Sequence, residues 1–208
     1  MLTLYYAPNA CSRASHITLA KAGADYTARR VNFAQSEQRT PEYLKLNPKG
    51  RVPVLVTQHG VLTETPAILL YIAQAHADAG LAPLGDPFAL AKMNSFLSFM
   101  CSTVHVNHAH RVRGNRWADD ESALESMKKK VPQTMGDAFA LIENEYFQGP
   151  WVMGDRFTVC DPYLFTIAGW LGGDGVDIAR FPKVNDHFQR MAADPVVARV
   201  VATEQAAA

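Results

Sequence analysis

Cysteine is scarce in this 208-residue chain: Cys11, Cys101 and Cys160 are an odd number at wide spacing. They neither frame a disulfide scaffold nor match the paired spacing of zinc ligands, and a reducing cytoplasm suits such thiols. Net charge is absent too, since 20 basic residues balance 20 acidic ones. With it goes the long-range field that recruits nucleic acid or an anionic membrane surface, so neither is expected as a partner. No run of about eighteen apolar residues occurs, and the opening Met1-Leu2-Thr3-Leu4-Tyr5-Tyr6 is a strand pattern without a basic segment leading into an apolar one. A soluble, unexported protein is expected. Repeats and low-complexity segments are missing apart from an alanine-rich tail, which is expected to fray. The length allows one large domain or two small ones, and two are expected.

The first eighty residues or so alternate between strand and helix signals. Leu2–Tyr6 reads as a strand, Ser12–Ala22 as a helix ending at Gly23, and Tyr26–Asn32 as a second strand. A loop with a short helix follows, then strands near Pro53–Val56 and Val61–Thr63 and a helix over Pro66–Ala77. Strand-helix-strand followed by a hairpin and a helix is a thioredoxin-like α/β pattern with a small mixed sheet. The stretch from Asp78 to Pro87, rich in glycine and proline, marks a boundary between a unit of residues 1–79 and one of 87–208.

Beyond it the pattern is all-α. Asp86 and Pro87 form an N-cap with proline at the first helical position, and one long helix runs to about Arg113. A second is expected over Glu121–Tyr146, bent or interrupted near Pro132 and stopped by Gly149-Pro150. Shorter helices start at Val159, Pro182 and Pro195.

Chemistry enters at Cys11, where the first strand breaks at Ala7-Pro8-Asn9-Ala10 and a helix begins. Free amides and aligned dipoles of a first helical turn favour an anion, so a lowered pKa and thiolate character are expected there. The alternative is a small buried hydrophobe. In Asn47-Pro48-Lys49-Gly50-Arg51-Val52-Pro53-Val54, Pro53 cannot donate a ladder bond. A cis Val52–Pro53 bond would turn the Val52 amide and carbonyl toward an extended peptide beside Cys11; an ordinary turn before an edge strand is the other reading. Leu62-Thr63-Glu64-Thr65-Pro66 opens the next helix with Thr65 as N-cap. Its amides suit a carboxylate and Glu64 an ammonium, so a zwitterionic amino-acid head satisfies both; a well-capped helix with a solvated Glu is the simpler account.

On the first long helix His105 follows Leu97 and Cys101 on an inward stripe, His108 shares its face and His110 is turned away. No nearby Asp, Glu or Cys completes a metal site, and no metal is expected. Of Tyr5 and Tyr6 one faces inward and one outward, and both are read as packing residues. Thr158-x-x-Asp161 is a capping box, with Pro162 expected to make its helix start irregular.

Cys11-Ser12 after the first strand, Asn47–Val54, Leu62–Thr65 and Phe157–Asp161 followed by Tyr163-Leu164-Phe165 together resemble the cytosolic glutathione S-transferases over nearly the whole chain. The Tyr-Tyr strand, the Pro-x-x-Cys-Ser turn and His105 look most like the bacterial beta class. The resemblance implies an N-terminal thioredoxin-like domain, an all-α C-terminal domain carrying the electrophile pocket, and a homodimer. It implies that the Val52 backbone, before Pro53, pairs with the cysteinyl unit of glutathione, that Glu64 and Thr65 hold the γ-glutamyl head, and that Cys11 and His105 face the sulfur. Ser12 is a second candidate donor to that thiolate, or simply a first-turn residue.

Asn9 stands where beta-class chains often carry glycine, which Asn tolerates by visiting left-handed conformations. Phe33–Arg39 offers no lysine for the glycyl end; Arg39, Lys49 or Arg51 substitutes. Arg111, Arg113 and Arg116 fall where the family builds its acceptor pocket, which suggests tolerance of anionic electrophiles, or else a solvated helix end suited to the macrodipole. The expected activity is conjugation of glutathione to small hydrophobic electrophiles. Its rivals are a glutathione-dependent thiol reductase or reductive dehalogenase with Cys11 as nucleophile, and a non-enzymatic binder of hydrophobic ligands.

Overall fold

The computed structural model describes residues 1–206, so the expected fraying of the last alanines concerns positions partly outside the described residues. A four-stranded sheet is formed by β1 (Leu2–Tyr6), β2 (Tyr26–Arg30), β3 (Val54–Thr57) and β4 (Gly60–Thr63) in the order β2-β1-β3-β4. β1 runs parallel to β2 and antiparallel to β3, which turns back on β4 as a hairpin. In the register Leu4↔Leu55 and Tyr5↔Val54, alternate side chains go to opposite faces. Leu4, Tyr6 and Leu55 pack with Leu19, Ile68 and Ile72 from α1 (Ser12–Lys21) and α3 (Thr65–Ala75). Tyr5 and Val54 meet Tyr43 of α2 (Pro41–Leu46) on the other face. This is the thioredoxin-like layer expected, with Tyr6 inward and Tyr5 on the α2 side.

The helical part comprises α4 (Pro87–Phe99), α5 (His105–Arg113), α6 (Glu121–Leu141), α7 (Cys160–Ala168), α8 (Pro182–Ala193) and α9 (Pro195–Ala206). The expected single helix from Pro87 to Arg113 is corrected: a π-helical turn over Met100–Val104 separates α4 from α5. Such a widened turn rotates the following residues about the axis, and His105 is the first of them. Pro132 does not break α6; the irregularity falls at its end, in a second π turn over Ile142–Tyr146.

α1 is buried from Ser12 to Leu19 although its sequence is largely polar. It lies between the sheet and α7 and α9, so it has no solvent face and its polar groups need partners inside. Thr18 Oγ1 donates to the Ala14 carbonyl at 2.7 Å. Arg13 and His16 share one fully buried carboxylate, Glu204 of α9. In the helical part Asp161, also fully buried, accepts from the Val152 and Thr158 amides at 2.9 and 2.7 Å and faces His187 Nε2 at 3.1 Å. The reciprocal half of the expected capping box is absent, because Thr158 Oγ1 receives the Cys160 amide instead. Despite Pro162, α7 is helical from Cys160 onward. Among the described residues no helix is long and apolar enough to cross a membrane.

Candidate active site

β1 brings the chain to the turn at Ala7–Ala10 and α1 takes it away, which leaves Cys11 as the N-cap with helical backbone (φ −57°, ψ −22°). The turn is tied from three sides. Ser12 Oγ accepts the Ala7 amide at 3.1 Å and donates to the Ala7 carbonyl at 3.3 Å. Trp170 Nε1 donates to the Asn9 carbonyl at 2.9 Å. Glu204 accepts the Asn9 amide at 3.3 Å and Arg13 Nε at 2.8 Å. Asn9 adopts the left-handed conformation, φ +56°, as its residue type allows. Ser12 is 0 % exposed and does not line the cleft. The expectation that it donates to a bound thiolate is therefore corrected: its hydroxyl is spent on closing the turn.

Cys11 does face the cleft, but its expected low pKa is also corrected. Burial pushes the thiol up from its ordinary value, and the Thr65 hydroxyl and the Arg113 guanidinium oppose that shift less strongly. Its Sγ–H donates to the Val52 carbonyl at 3.3 Å, a bond available only to the protonated form. Desolvation outweighs the helix terminus here.

The segment before β3 is set by Asn47, whose Nδ2 donates to the Arg51 carbonyl at 2.7 Å, as does Tyr43 Oη at 2.9 Å. Gly50 turns with φ +60°, and a Cβ there would lie 2.9 Å from the Gln38 carbonyl oxygen as well as from Arg39 Nη1; the left-handed backbone and the fixed carbonyl together require glycine. The Val52–Pro53 bond is cis, which decides between the two readings of this segment. At the start of α3 the structure shifts the cap by one: Glu64 is the N-cap and Thr65 the first helical residue, with no side-chain cap bond. Glu64 holds φ +72°, ψ +123°, an unusual conformation for a side chain with a Cβ and of the kind concentrated at binding sites. Its carboxylate pairs with Lys49 Nζ at 2.6 Å.

Val52, Pro53, Glu64, Thr65 and Cys11 form one wall of a cleft of about 850 Å³. The opposite wall comes from Cys101 and α5, with Tyr163 and Trp170 between. His105 lies on it with its ring 5.2 Å from Trp170. Burial, then His108 and three arginines, lower its pKa to about 4, so the imidazole is neutral at physiological pH and available as hydrogen-bond donor or acceptor. His108 stacks on Trp170 at 4.3 Å with Nδ1 2.8 Å from Asp174 Oδ2, while His110 packs on Trp117. Tyr163 is protonated, burial raising its pKa well above the ordinary value. Five arginines line the same cleft: Arg39 and Arg51 from the sheet side, Arg111, Arg113 and Arg116 from the helical side. Among the described residues no cluster of three or more His, Cys, Asp or Glu side chains is placed to hold a metal.

Residues 1–74 match the glutathione S-transferase N-terminal domain and residues 75–195 the glutathione S-transferase C-terminal domain. The chain belongs to the glutathione S-transferase family. It is 45% identical to a glutathione transferase homologue from Sulfitobacter solved with bound glutathione, with a TM-score of 0.94 and 98% of each chain covered. To the beta-class transferase of Sphingomonas chungbukensis it is 31% identical, with a TM-score of 0.84 and 97% and 98% covered. A glutathione S-transferase of Escherichia coli O157:H7 is 29% identical over 205 residues, 98% of each chain.

Cys11 and His105 line the same cleft from its two walls. Two residues that hold this transferase's site escaped sequence reasoning, and a third was given another partner. Trp170 links the Cys11 turn to His105 and His108, but a single tryptophan in a helical segment carries no pattern. Glu204, which holds the turn from α9, lies in a tail that reads as expendable. Lys49 was weighed for the glycyl end, yet pairs with Glu64 at the opposite end of the site.

Proposed function

We propose that this transferase binds glutathione in extended form along the sheet wall and presents its sulfur between Cys11 and His105. The division of labour follows the units 1–79, for glutathione, and 87–208, for the electrophile. The Val52 backbone supports the cysteinyl unit, the Thr65 amide the γ-glutamyl carboxylate, Glu64 its ammonium, and Arg39 or Arg51 the glycyl carboxylate. Glu64 must then exchange its Lys49 partner for the ligand's ammonium. The observation that carries this reading is the Cys11 thiol at the N-terminus of α1, beside the Val52 carbonyl and in the same cleft as Thr65.

The enzyme conjugates glutathione to electrophiles. The thiol proton leaves to solvent; the thiolate attacks a carbon bearing a leaving group; a carbon–sulfur bond forms as the leaving group departs with its electron pair. Cys11, kept protonated, turns its single S–H from the Val52 carbonyl to the thiolate when glutathione binds, and neutral His105 can donate a second hydrogen bond. Tyr163 is a third protonated group in the cleft. This protonated Cys11 favours conjugation over the thiol-reductase reading, which needs Cys11 as a thiolate nucleophile. Incubation with glutathione and 1-chloro-2,4-dinitrobenzene, read by mass spectrometry of the thioether and of Cys11, tests it. Thioether accumulation with unmodified Cys11 is expected; quantitative mixed disulfide on Cys11 as an obligatory intermediate would sink it. We place the enzyme in a reducing cytoplasm, in keeping with its three free thiols, and infer a homodimer from the family resemblance, checked by sedimentation analysis.

A further inference from the structure

The cleft carries more positive charge than glutathione neutralises. Arg39, Arg51, Arg113 and Arg116 all line it, and among the described residues none pairs with a carboxylate. Arg111 differs: its Nε lies 2.9 Å from the buried Asp174 carboxylate, which already faces His108. Arg111 is thereby part of the frame, and the arginines free to meet a ligand are the other four.

These four belong together although they come from opposite walls. Burial lowers the Arg116 pKa to about 10, and the positive charge of Arg51, Arg113 and Arg39 adds to that shift, so the sheet-side arginines come near enough to be felt by Arg116. A basic helix end explains Arg113, in the last turn of α5. It does not explain why Arg51 and Arg39 face it from the sheet. Among the described residues the only carboxylate lining the cleft is Glu64, and the proposed reading assigns it to the glutathione ammonium.

The charge balance then runs short of anions. The γ-glutamyl carboxylate goes to a backbone amide and the glycyl carboxylate to one guanidinium. Counted as charges, the four guanidiniums and the ammonium are five cations against four anions, which are Glu64, the two carboxylates and the thiolate, so one guanidinium lacks a counter-charge even with the thiolate in place. Exposed Trp117 (49 %) and Val112 (65 %) line the same mouth beside Phe33, an apolar surface suited to an aromatic body. Resting on the glutathione reading above, we propose that the acceptor substrates of this enzyme are aromatic or similarly flat electrophiles bearing an anionic oxygen group, received by Arg113 and Arg116.

The test compares two acceptors that differ in charge, 1-chloro-2,4-dinitrobenzene and 4-chloro-3,5-dinitrobenzoate, in the wild type and in Arg113→Gln/Arg116→Gln. In both, the carbon–sulfur bond forms as chloride leaves. The ratio of kcat/KM for the anionic over the neutral acceptor is expected to fall at least about tenfold in the variant, the size of a lost charge-assisted contact. The salt dependence of the anionic reaction should flatten with it. An unchanged ratio overturns the proposal and assigns these arginines to the thiolate alone. Calorimetry with the two finished conjugates, and with S-methylglutathione, keeps the reading beneath distinguishable. Tighter binding of the carboxylate-bearing conjugate, lost in the variant, supports the proposal. Equal binding of both conjugates overturns it while leaving the glutathione site standing; absence of S-methylglutathione binding overturns both.

Discussion

The two walls of the cleft are built by different means. The sheet wall offers main chain: the Val52 carbonyl, the amide at Thr65, and a residue, Glu64, bent into a positive φ. The helical wall offers side chains: His105, Trp170, Tyr163 and the arginines of α5 and the short turn after it. Main-chain groups are positioned by the strand ladder and the helix start, so they tolerate sequence change around them. Side chains on a helix are positioned by the helix's rotation and packing, and each substitution changes what the wall recognises. The proposed division, glutathione on the main-chain wall and the acceptor on the side-chain wall, uses that difference.

The contrast fails first if the sheet wall depends on a helical side chain, and Glu204 is where it does. Glu204→Ala leaves Arg13 and His16 buried without their carboxylate and releases the Asn9 amide. A loss of about 3–5 kcal/mol is expected from chemical denaturation, as for other broken buried ion pairs. A loss below about 1 kcal/mol would mean that the Cys11 turn is held by its own local bonds.

Cys11→Ala is next. Because the thiol is a weak S–H donor and the proposed reading leaves His105 as a second donor to the thiolate, kcat/KM for conjugation should fall only about three- to tenfold. Near-total loss would make Cys11 the nucleophile.

The helical wall is sharpened by pH. The His105 pKa is lowered to about 4 from 6.5 by burial first and by His108 and arginine charge after. Between those values the unfolded chain binds a proton there that the folded chain refuses, so stability contributed by neutral His105 is complete above pH 6.5 and declines as pH falls toward 4. His105→Gln should flatten that part of the profile in urea titrations between pH 4 and 7; an unchanged slope would place the imidazole in open solvent.

Smallest is Lys49→Ala. The Lys49–Glu64 pair is half exposed on both sides, and its loss should change stability by less than about 1 kcal/mol. A larger change in thermal unfolding would make the sheet wall more dependent on side chains than its geometry implies.

Much of the sheet wall was legible from residue types alone. Glycine and proline mark the turn at Gly50 and the Val52–Pro53 bond; Pro66 marks the start of α3 to within one residue. The one-residue shift at Thr65 arises because Glu64, not a hydroxyl, supplies the kink, and positive φ at Glu has no sequence signature. Cys11 was correctly placed at a helix N-terminus and wrongly charged: the dipole is visible in sequence, whereas the depth of burial is set by Met93–Val104 and α7 packing over it. On the helical side the inward stripe through Leu97, Cys101 and His105 located the histidine. It did not show the π turn that aims it, since a single extra residue per turn leaves the apolar spacing almost intact.

By itself the sequence determined the order and type of most strands and helices, that a thiol caps a helix, and that a sheet unit precedes a helical one. Periodicity and turn chemistry act over a few residues and can be read in order. Tertiary structure alone decided that Cys11 stays protonated, that Glu204 holds a turn 195 residues away, and that arginines from two units converge. Desolvation and charge repulsion depend on which distant segments share a space, and only the folded chain brings those segments together.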